Sequence, residues 1–139
     1  MATELKRLGK FQLALRPHLV YTTTTQIEQA CSIVGSADAV CCVQEAGGFL
    51  KVLRKAAEKL PEDIQYDRTS FCNFMTQATN ERCQKSAVHG AHVWIHGEAY
   101  VTPSCASHNK RGCQCNGLMR GALLATVSCP GRCGVCPTC

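Results

Sequence analysis

The chain has 139 residues, a size that suits one compact domain or a small domain with an appended module. Hydrophobic residues make up 45% and charged residues 18%, which argues against wholesale disorder. No apolar run approaches the roughly 18 residues that a membrane-spanning helix needs. Residues 1–10 are charged and lack the apolar stretch of a secretory signal. We therefore expect a protein that is neither secreted nor inserted in a membrane.

Helices are the prediction for the first half of the chain. Apolar residues at mixed spacing indicate a helix over residues 3–15, and the capping-box pattern from Thr25 to Glu28 predicts another over residues 25–35. The clearest amphipathic pattern covers residues 49–60, where an apolar stripe faces a basic one and Pro61 ends the helix. Three cysteines lie among apolar residues of this half and are predicted to be core side chains: Cys31, Cys41 and Cys42.

A basic face on the 49–60 helix has two interpretations. Lys51, Arg54, Lys55 and Lys59 share one side of that helix, and the formal net charge of the chain is +5. Such a face is either an ordinary solvated surface or a ridge that contacts the phosphates of a nucleic acid. The sequence alone leaves both interpretations open.

The second half predicts a β-hairpin followed by a metal-binding knuckle. Residues 92–96 and 98–102 alternate around Gly97 as the two strands of a hairpin do. The hairpin leads into the pattern C-x2-H-x4-C-x-C, a ligand spacing typical of zinc knuckles. Its ligands are Cys105, His108, Cys113 and Cys115, and Lys110 and Arg111 lie in the loop between them.

The last eleven residues carry a second dense cysteine pattern, C-x3-C-x2-C-x2-C. Its predicted ligands are Cys129, Cys133, Cys136 and Cys139. Together with the knuckle they make eight candidates, enough for two tetrahedral zinc ions in either a sequential or an interleaved arrangement. A third site would draw on Cys72, Cys83, His89, His92 and His96. The alternative for these histidines is an ordinary strand face.

These elements together predict an α+β fold. Residues 1–68 form its helical half, and residues 69–139 form a basic, Cys/His-rich half with a small zinc-stabilised β-hairpin and knuckle; the two halves pack as one unit. No arrangement of residues indicates a catalytic site, and a zinc ion with four protein ligands has no open position for a substrate. We therefore expect a binding protein rather than an enzyme.

The element from Cys105 to His108, followed by Cys113 and Cys115 in a small basic chain, resembles the cysteine-rich proteins of rod-shaped plant RNA viruses. The resemblance covers residues 100–139, and the cysteine-rich tail is most similar to the benyvirus type. This sequence has Ala106 where that family often has glycine. The resemblance implies zinc binding, suppression of host RNA silencing, sometimes RNA binding, and a location in the host cytoplasm, nucleus or nucleolus.

Two kinds of partner follow from these expectations. The first and slightly favoured one is RNA, contacted by Lys51, Arg54, Lys55, Lys110 and Arg111. The second is a host silencing or defence protein, which a zinc-stabilised adaptor would block without touching RNA. A weaker similarity to the zinc-binding cofactor protein of nidovirus replicases, which rests on Cys113 and Cys115, is consistent with such an adaptor.

Overall fold

The computed structural model describes residues 4–13, 16–32, 48–77, 79–109 and 115–126. These residues form seven strands, two nine-residue helices and a short 3-10 turn at Ser107–Asn109. The strands are β1 (Leu5–Leu13), β2 (Arg16–Thr23), β3 (Ile27–Ser32), β4 (His89–Ile95), β5 (Glu98–Ser104), β6 (Cys115–Leu118) and β7 (Leu123–Thr126). The helices are α1 (Phe49–Ala57) and α2 (Glu62–Ser70). Neither is long enough to cross a membrane.

One antiparallel sheet contains all seven strands, in the order β1-β2-β7-β5-β4-β3-β6. Strands from the beginning and the end of the chain alternate in this order. β2 lies beside β7, and β3 lies between β4 and β6. The sheet therefore joins residues of the first and second halves in a single structure.

The prediction of a helical N-terminal half is wrong, because the segments 5–13 and 27–32 are strands. Each of these strands also contains an irregularity in its pairing. One extra residue, Leu8, separates Arg7 from Gly9 in the pairing of β1 with β2, and β3 shifts register between Ile27 and Ala30. In β1 the bulge turns the two-residue repeat of a strand into a spacing of three, which is the spacing that a helix pattern uses. For β3 the helix prediction came from the capping-box pattern at Thr25–Glu28, and pairing with β4 and β6 makes this segment a strand instead.

The predicted helix at residues 49–60 and the predicted hairpin are both confirmed, with shifted ends. α1 buries Val52, Leu53, Ala56 and Ala57 and leaves its lysines exposed. β4 and β5 pair from His89 with Ser104 to Ile95 with Glu98. His96 and Gly97 make the two-residue turn with φ angles of 50° and 82°, the positive values that a tight hairpin turn of this kind requires.

Both faces of the sheet are covered. α1 packs on one face against a core that includes Phe11, Val20, Val101 and Leu123. Alternate residues of the same strands point to the opposite face, where Tyr100 and Leu124 join a second core. That second core contains three cysteines: Cys72, Cys83 and Cys105.

An irregular two-stranded segment, called here the 71–86 ribbon, supplies part of the second core. Its arms are residues 71–75 and 82–86, which pair antiparallel at Phe71–Ser86 and Met75–Arg82. The backbone N–H of Cys72 donates to Lys85 O (2.9 Å), and that of Cys83 donates to Phe74 O (2.8 Å). The ribbon also pairs with β6 at Phe74–Leu118, which ties it to the sheet.

Candidate metal centre

Three buried cysteines and one half-buried histidine meet beside the second core. Cys72, Cys83, Cys105 and His108 bring their sulfur and nitrogen atoms within 4.8 Å of one another. The described residues therefore contain a cluster that could hold a metal ion. We call these four residues the Cys3His cluster.

Distances within the Cys3His cluster fit a single tetrahedral ion. A zinc ion with Zn–S bonds of about 2.3 Å and a Zn–N bond of about 2.0 Å separates two sulfurs by about 3.8 Å, and a sulfur from the nitrogen by about 3.5 Å. The sulfurs of Cys83 and Cys105 are 3.8 Å apart. Nδ1 of His108 is 3.4 Å from the Cys72 sulfur and 3.3 Å from the Cys105 sulfur. His108 would thus bind through Nδ1.

The ribbon explains how two cysteines eleven positions apart reach the same ion. In its register Cys72 lies opposite Lys85, and Cys83 lies opposite Phe74. Cys72 and Cys83 are therefore diagonal neighbours on one side of the ribbon, since residues two apart on a strand share a face. The turn between them is held by Thr76, whose N–H donates to Glu81 O (2.6 Å).

The other two ligands come from the end of β5. Cys105 directly follows the strand, and the 3-10 turn at Ser107–Asn109 brings His108 back toward the Cys105 sulfur. Two main-chain hydrogen bonds fasten this end of β5 to the ribbon and to the segment that directly follows it. Asn73 N–H donates to Pro103 O (3.0 Å), and Val88 N–H donates to Ser104 O (2.9 Å). The two ligand pairs are consequently held together by backbone as well as by side chains.

Asn73 anchors the ribbon from inside the protein. Its side chain is fully buried, and its amide nitrogen donates to Arg68 O (3.0 Å) and Phe71 O (2.8 Å). Its amide oxygen accepts from Leu123 N–H (2.9 Å). A single side chain thus joins the end of α2, the start of the ribbon and β7. This anchoring fixes the backbone next to Cys72.

Main-chain N–H groups surround the thiols. Burial raises the pKa of the Cys72 thiol to about 12, although the N–H groups of Cys105 and Phe74 act in the opposite direction. Burial also opposes ionisation of Cys105, but the N–H of His108 together with the neighbouring thiols and the N–H of Ser107 outweighs it and lowers that pKa. Hydrogen bonds of this kind stabilise thiolates, which are the form that binds metal.

His108 is held as a neutral ring. Burial lowers its pKa, and the nearby Lys85 ammonium lowers it further. The ring stacks on Phe74 with 5.3 Å between ring centroids, which fixes its orientation. Lys85 donates to Ser107 Oγ (3.1 Å) and so stays beside the cluster. A neutral imidazole is the form that binds metal, and Lys85 is a positive charge near a site whose three thiolates would leave it at about −1 with a divalent ion.

The predicted metal ligands are divided by the structure. Cys105 and His108 of the predicted knuckle lie with Cys72 and Cys83, two residues of the predicted third site. Cys115 lies elsewhere, because its sulfur forms a disulfide with Cys31 across β3 and β6. A sulfur in a disulfide is not available as a thiolate ligand. Cys31, expected to be a simple core side chain, is therefore a bonded cysteine.

The three histidines of β4 and its turn lie apart from the Cys3His cluster. His89 is exposed, and His92 is buried under α1 with its ring 5.3 Å from that of Phe49. His96 lies in the hairpin turn, and its Nε2 contacts Glu4 Oε1 at 2.5 Å. His92 therefore serves packing and His96 makes a surface contact with Glu4, so neither belongs to the Cys3His cluster.

Several predicted residues fall outside the described part of the chain. They are Cys41, Cys42, Lys110, Arg111, Cys113, Cys129, Cys133, Cys136 and Cys139. The expectation of a second zinc ion at the C-terminal cysteines stays a prediction.

The basic face predicted on the 49–60 helix is present on the surface. Lys51, Arg54, Lys55 and Lys59 are all exposed, and Lys55 makes an exposed ion pair with Glu58 at 3.3 Å. Lys59 lies over β1, because a Cβ atom at Gly9 would be 3.5 Å from its Cδ. We call these four residues the basic face.

Comparison with protein-family models, with curated proteins and with solved structures found no match.

Proposed function

We propose that the Cys3His cluster binds one Zn²⁺ ion as a structural site. The observation that carries this proposal is the agreement of three ligand-to-ligand distances, 3.3 to 3.8 Å, with the edges of a zinc-centred tetrahedron. Three thiolates and one imidazole form a common structural zinc set. All four positions are filled by protein, so the ion would stabilise the fold and would not activate water.

Zinc content tests this proposal. When both proteins are purified without added metal, Cys83→Ser should contain about one equivalent of zinc less than the wild type. Three ligands hold the ion much more weakly than four. A matched control is the double variant Cys31→Ser/Cys115→Ser, which removes two cysteines outside the cluster and should keep this equivalent. Replacement by Co²⁺ should give the intense visible bands of a tetrahedral thiolate site in the wild type. Equal zinc content in Cys83→Ser and the wild type would contradict the assignment.

We propose further that the zinc-stabilised protein binds RNA through the basic face. The supporting observation is that four cations of α1 and the turn after it are exposed with only Glu58 as a paired acid among the described residues. Exposed ion pairs such as Lys55–Glu58 are weak, so a phosphate can replace Glu58 at small cost. Cations on a rigid helix contact a phosphate backbone without reading base sequence. The resemblance to viral cysteine-rich proteins makes suppression of RNA silencing the biological role that we propose for this binding.

The triple variant Lys51→Gln/Arg54→Gln/Lys55→Gln tests the RNA proposal. Its affinity for RNA should fall for every sequence tried, and the slope of log K against log salt should become shallower by about one per lost phosphate contact. The control is Arg120→Gln, which removes an exposed cation that belongs neither to the basic face nor to the Cys3His cluster. Wild-type affinity in the triple variant would refute the role of the basic face. Full silencing suppression by a variant that no longer binds RNA would instead support an adaptor that acts on a protein.

A further inference from the structure

A groove between α1 and α2 lies next to the basic face. It has a volume of about 430 Å³ and is lined by Arg54, Ala57, Glu62, Gln65, Tyr66 and Thr69. Arg54 belongs both to this groove and to the basic face. An RNA strand whose phosphates contact the basic face therefore passes the mouth of the groove.

Tyr66 gives the groove an unusual surface. Its side chain is 72% exposed, and only Val88, at 49%, is a comparably exposed large hydrophobic residue in the described part of the chain. The ring meets Phe71 edge to face, with centroids 6.3 Å apart and an angle of 83°. This contact restricts the ring while most of its surface remains in water. An ordered, exposed aromatic ring is the feature on which an unpaired base stacks.

The polar residues of the groove favour a base over a second phosphate. Glu62 would repel a phosphate placed there, whereas a carboxylate accepts hydrogen bonds from exocyclic amino groups of bases. The side-chain nitrogen of Gln65 already donates to Leu60 O at 2.9 Å, so its side-chain oxygen remains as a further acceptor. Arg54 has no acidic partner among the described residues and can contact either the phosphate or the base plane.

We propose that Tyr66 and its groove form a stacking site for one unpaired base of single-stranded RNA. This inference rests on the proposed RNA binding and specifies its substrate. The bases of a duplex are already stacked and paired, so they cannot enter the groove without the duplex opening. The protein would therefore prefer single-stranded over double-stranded RNA.

Binding of a labelled cytidine oligonucleotide of about ten nucleotides tests the site with the full-length, zinc-loaded protein. Tyr66→Ala should weaken binding at least about fivefold, the lower end of what a stacked base contributes, and Tyr66→Phe should restore it. The salt dependence should not change, because no cation is removed. The matched control is Val88→Ala, which removes the other exposed hydrophobic side chain and should bind as the wild type does.

An abasic oligonucleotide of the same length makes the test independent of the folding of any variant. The wild type should bind it more weakly than the cytidine oligonucleotide by the factor that Tyr66→Ala loses, and Tyr66→Ala should bind both equally. Equal binding of the two oligonucleotides by the wild type, or tighter binding of duplex RNA, would overturn the stacking site. If the basic-face variant loses affinity while Tyr66→Ala does not, the stacking site fails and RNA binding stands. If the wild type binds no RNA, both proposals fail.

Discussion

His92 provides a quantitative test of how α1 packs on the sheet. Its side chain is 5% exposed beneath Phe49, and neither ring nitrogen has a hydrogen-bond partner among the described residues. Burial lowers its pKa from 6.5 to about 4. A protonated ring at this place would be a charge without a partner, so the folded protein keeps the ring neutral.

The sign of the effect follows from the two states. Above pH 6.5 the ring is neutral in both the folded and the unfolded chain, and it contributes nothing to the pH dependence of stability. Below pH 6.5 the unfolded chain binds a proton that the folded chain does not, so the free energy of unfolding falls until the pH reaches about 4. Between about pH 7 and pH 5 the expected loss is about 2 kcal/mol.

The variant His92→Leu removes this loss. Urea unfolding followed by fluorescence of Trp94, the single tryptophan, gives the free energy of unfolding of both proteins at each pH. The wild type should lose about 2 kcal/mol more than His92→Leu between about pH 7 and pH 5. Protonation of the Cys3His cluster affects both proteins alike and cancels in this difference.

The control His89→Leu removes an exposed ring of the same strand and should follow the wild type. Equal losses in the wild type and His92→Leu would refute a neutral, buried His92.

Two further substitutions test the packing around the site. Gly90→Ala would place a Cβ atom 2.3 Å from Phe49 Cβ, and this overpacking should cost about 1–3 kcal/mol of unfolding free energy. Gly117→Ala, whose nearest contact would be 3.4 Å, is its control in the same urea assay, and similar losses would argue against the close approach of α1. Asn73→Ala should cost about 2–3 kcal/mol, because Leu123 N–H and two carbonyls lose their partner inside the protein. It should also accelerate zinc loss to a chelator, and an unchanged rate would show that Asn73 does not anchor the ribbon.

Local patterns in the sequence were sufficient for the elements whose partners lie nearby. The 49–60 pattern predicts α1 because one apolar stripe packs on one surface, and the 92–102 pattern predicts a hairpin because its two strands adjoin in sequence. The prediction for β1 is wrong because a bulge changes the spacing of its apolar residues. Only the neighbouring strand shows that the extra residue is a bulge. The prediction for β3 is wrong because the capping-box pattern at Thr25–Glu28 is purely local, whereas residues 27–32 pair with β4 and β6.

The candidate metal centre was half predictable for a related reason. The short spacing of Cys105 and His108 identifies them as a ligand pair. Ten residues separate Cys72 from Cys83, and this spacing indicates a ligand pair only once the two arms of the ribbon are known to pair. The polar residues of the turn at 76–81 were the available signal for that pairing. Tyr66 gave no signal, since exposure of one aromatic residue cannot be read from the sequence of a short helix.

The strand order has a consequence for the time course of folding. β2 and β7 are neighbours in the sheet, and His18 contacts Thr126 across 108 positions of the chain, so the sheet cannot be completed until residues 123–126 have been synthesised. Cys72 and His108 are only 36 positions apart, and β4 and β5 form a local hairpin between them. Pairings between distant segments form slowly, whereas local ones form early. With the proposed zinc ion bound, we therefore expect the Cys3His cluster to close first in the nascent chain, so that β1, β2 and β7 assemble on a centre that is already formed.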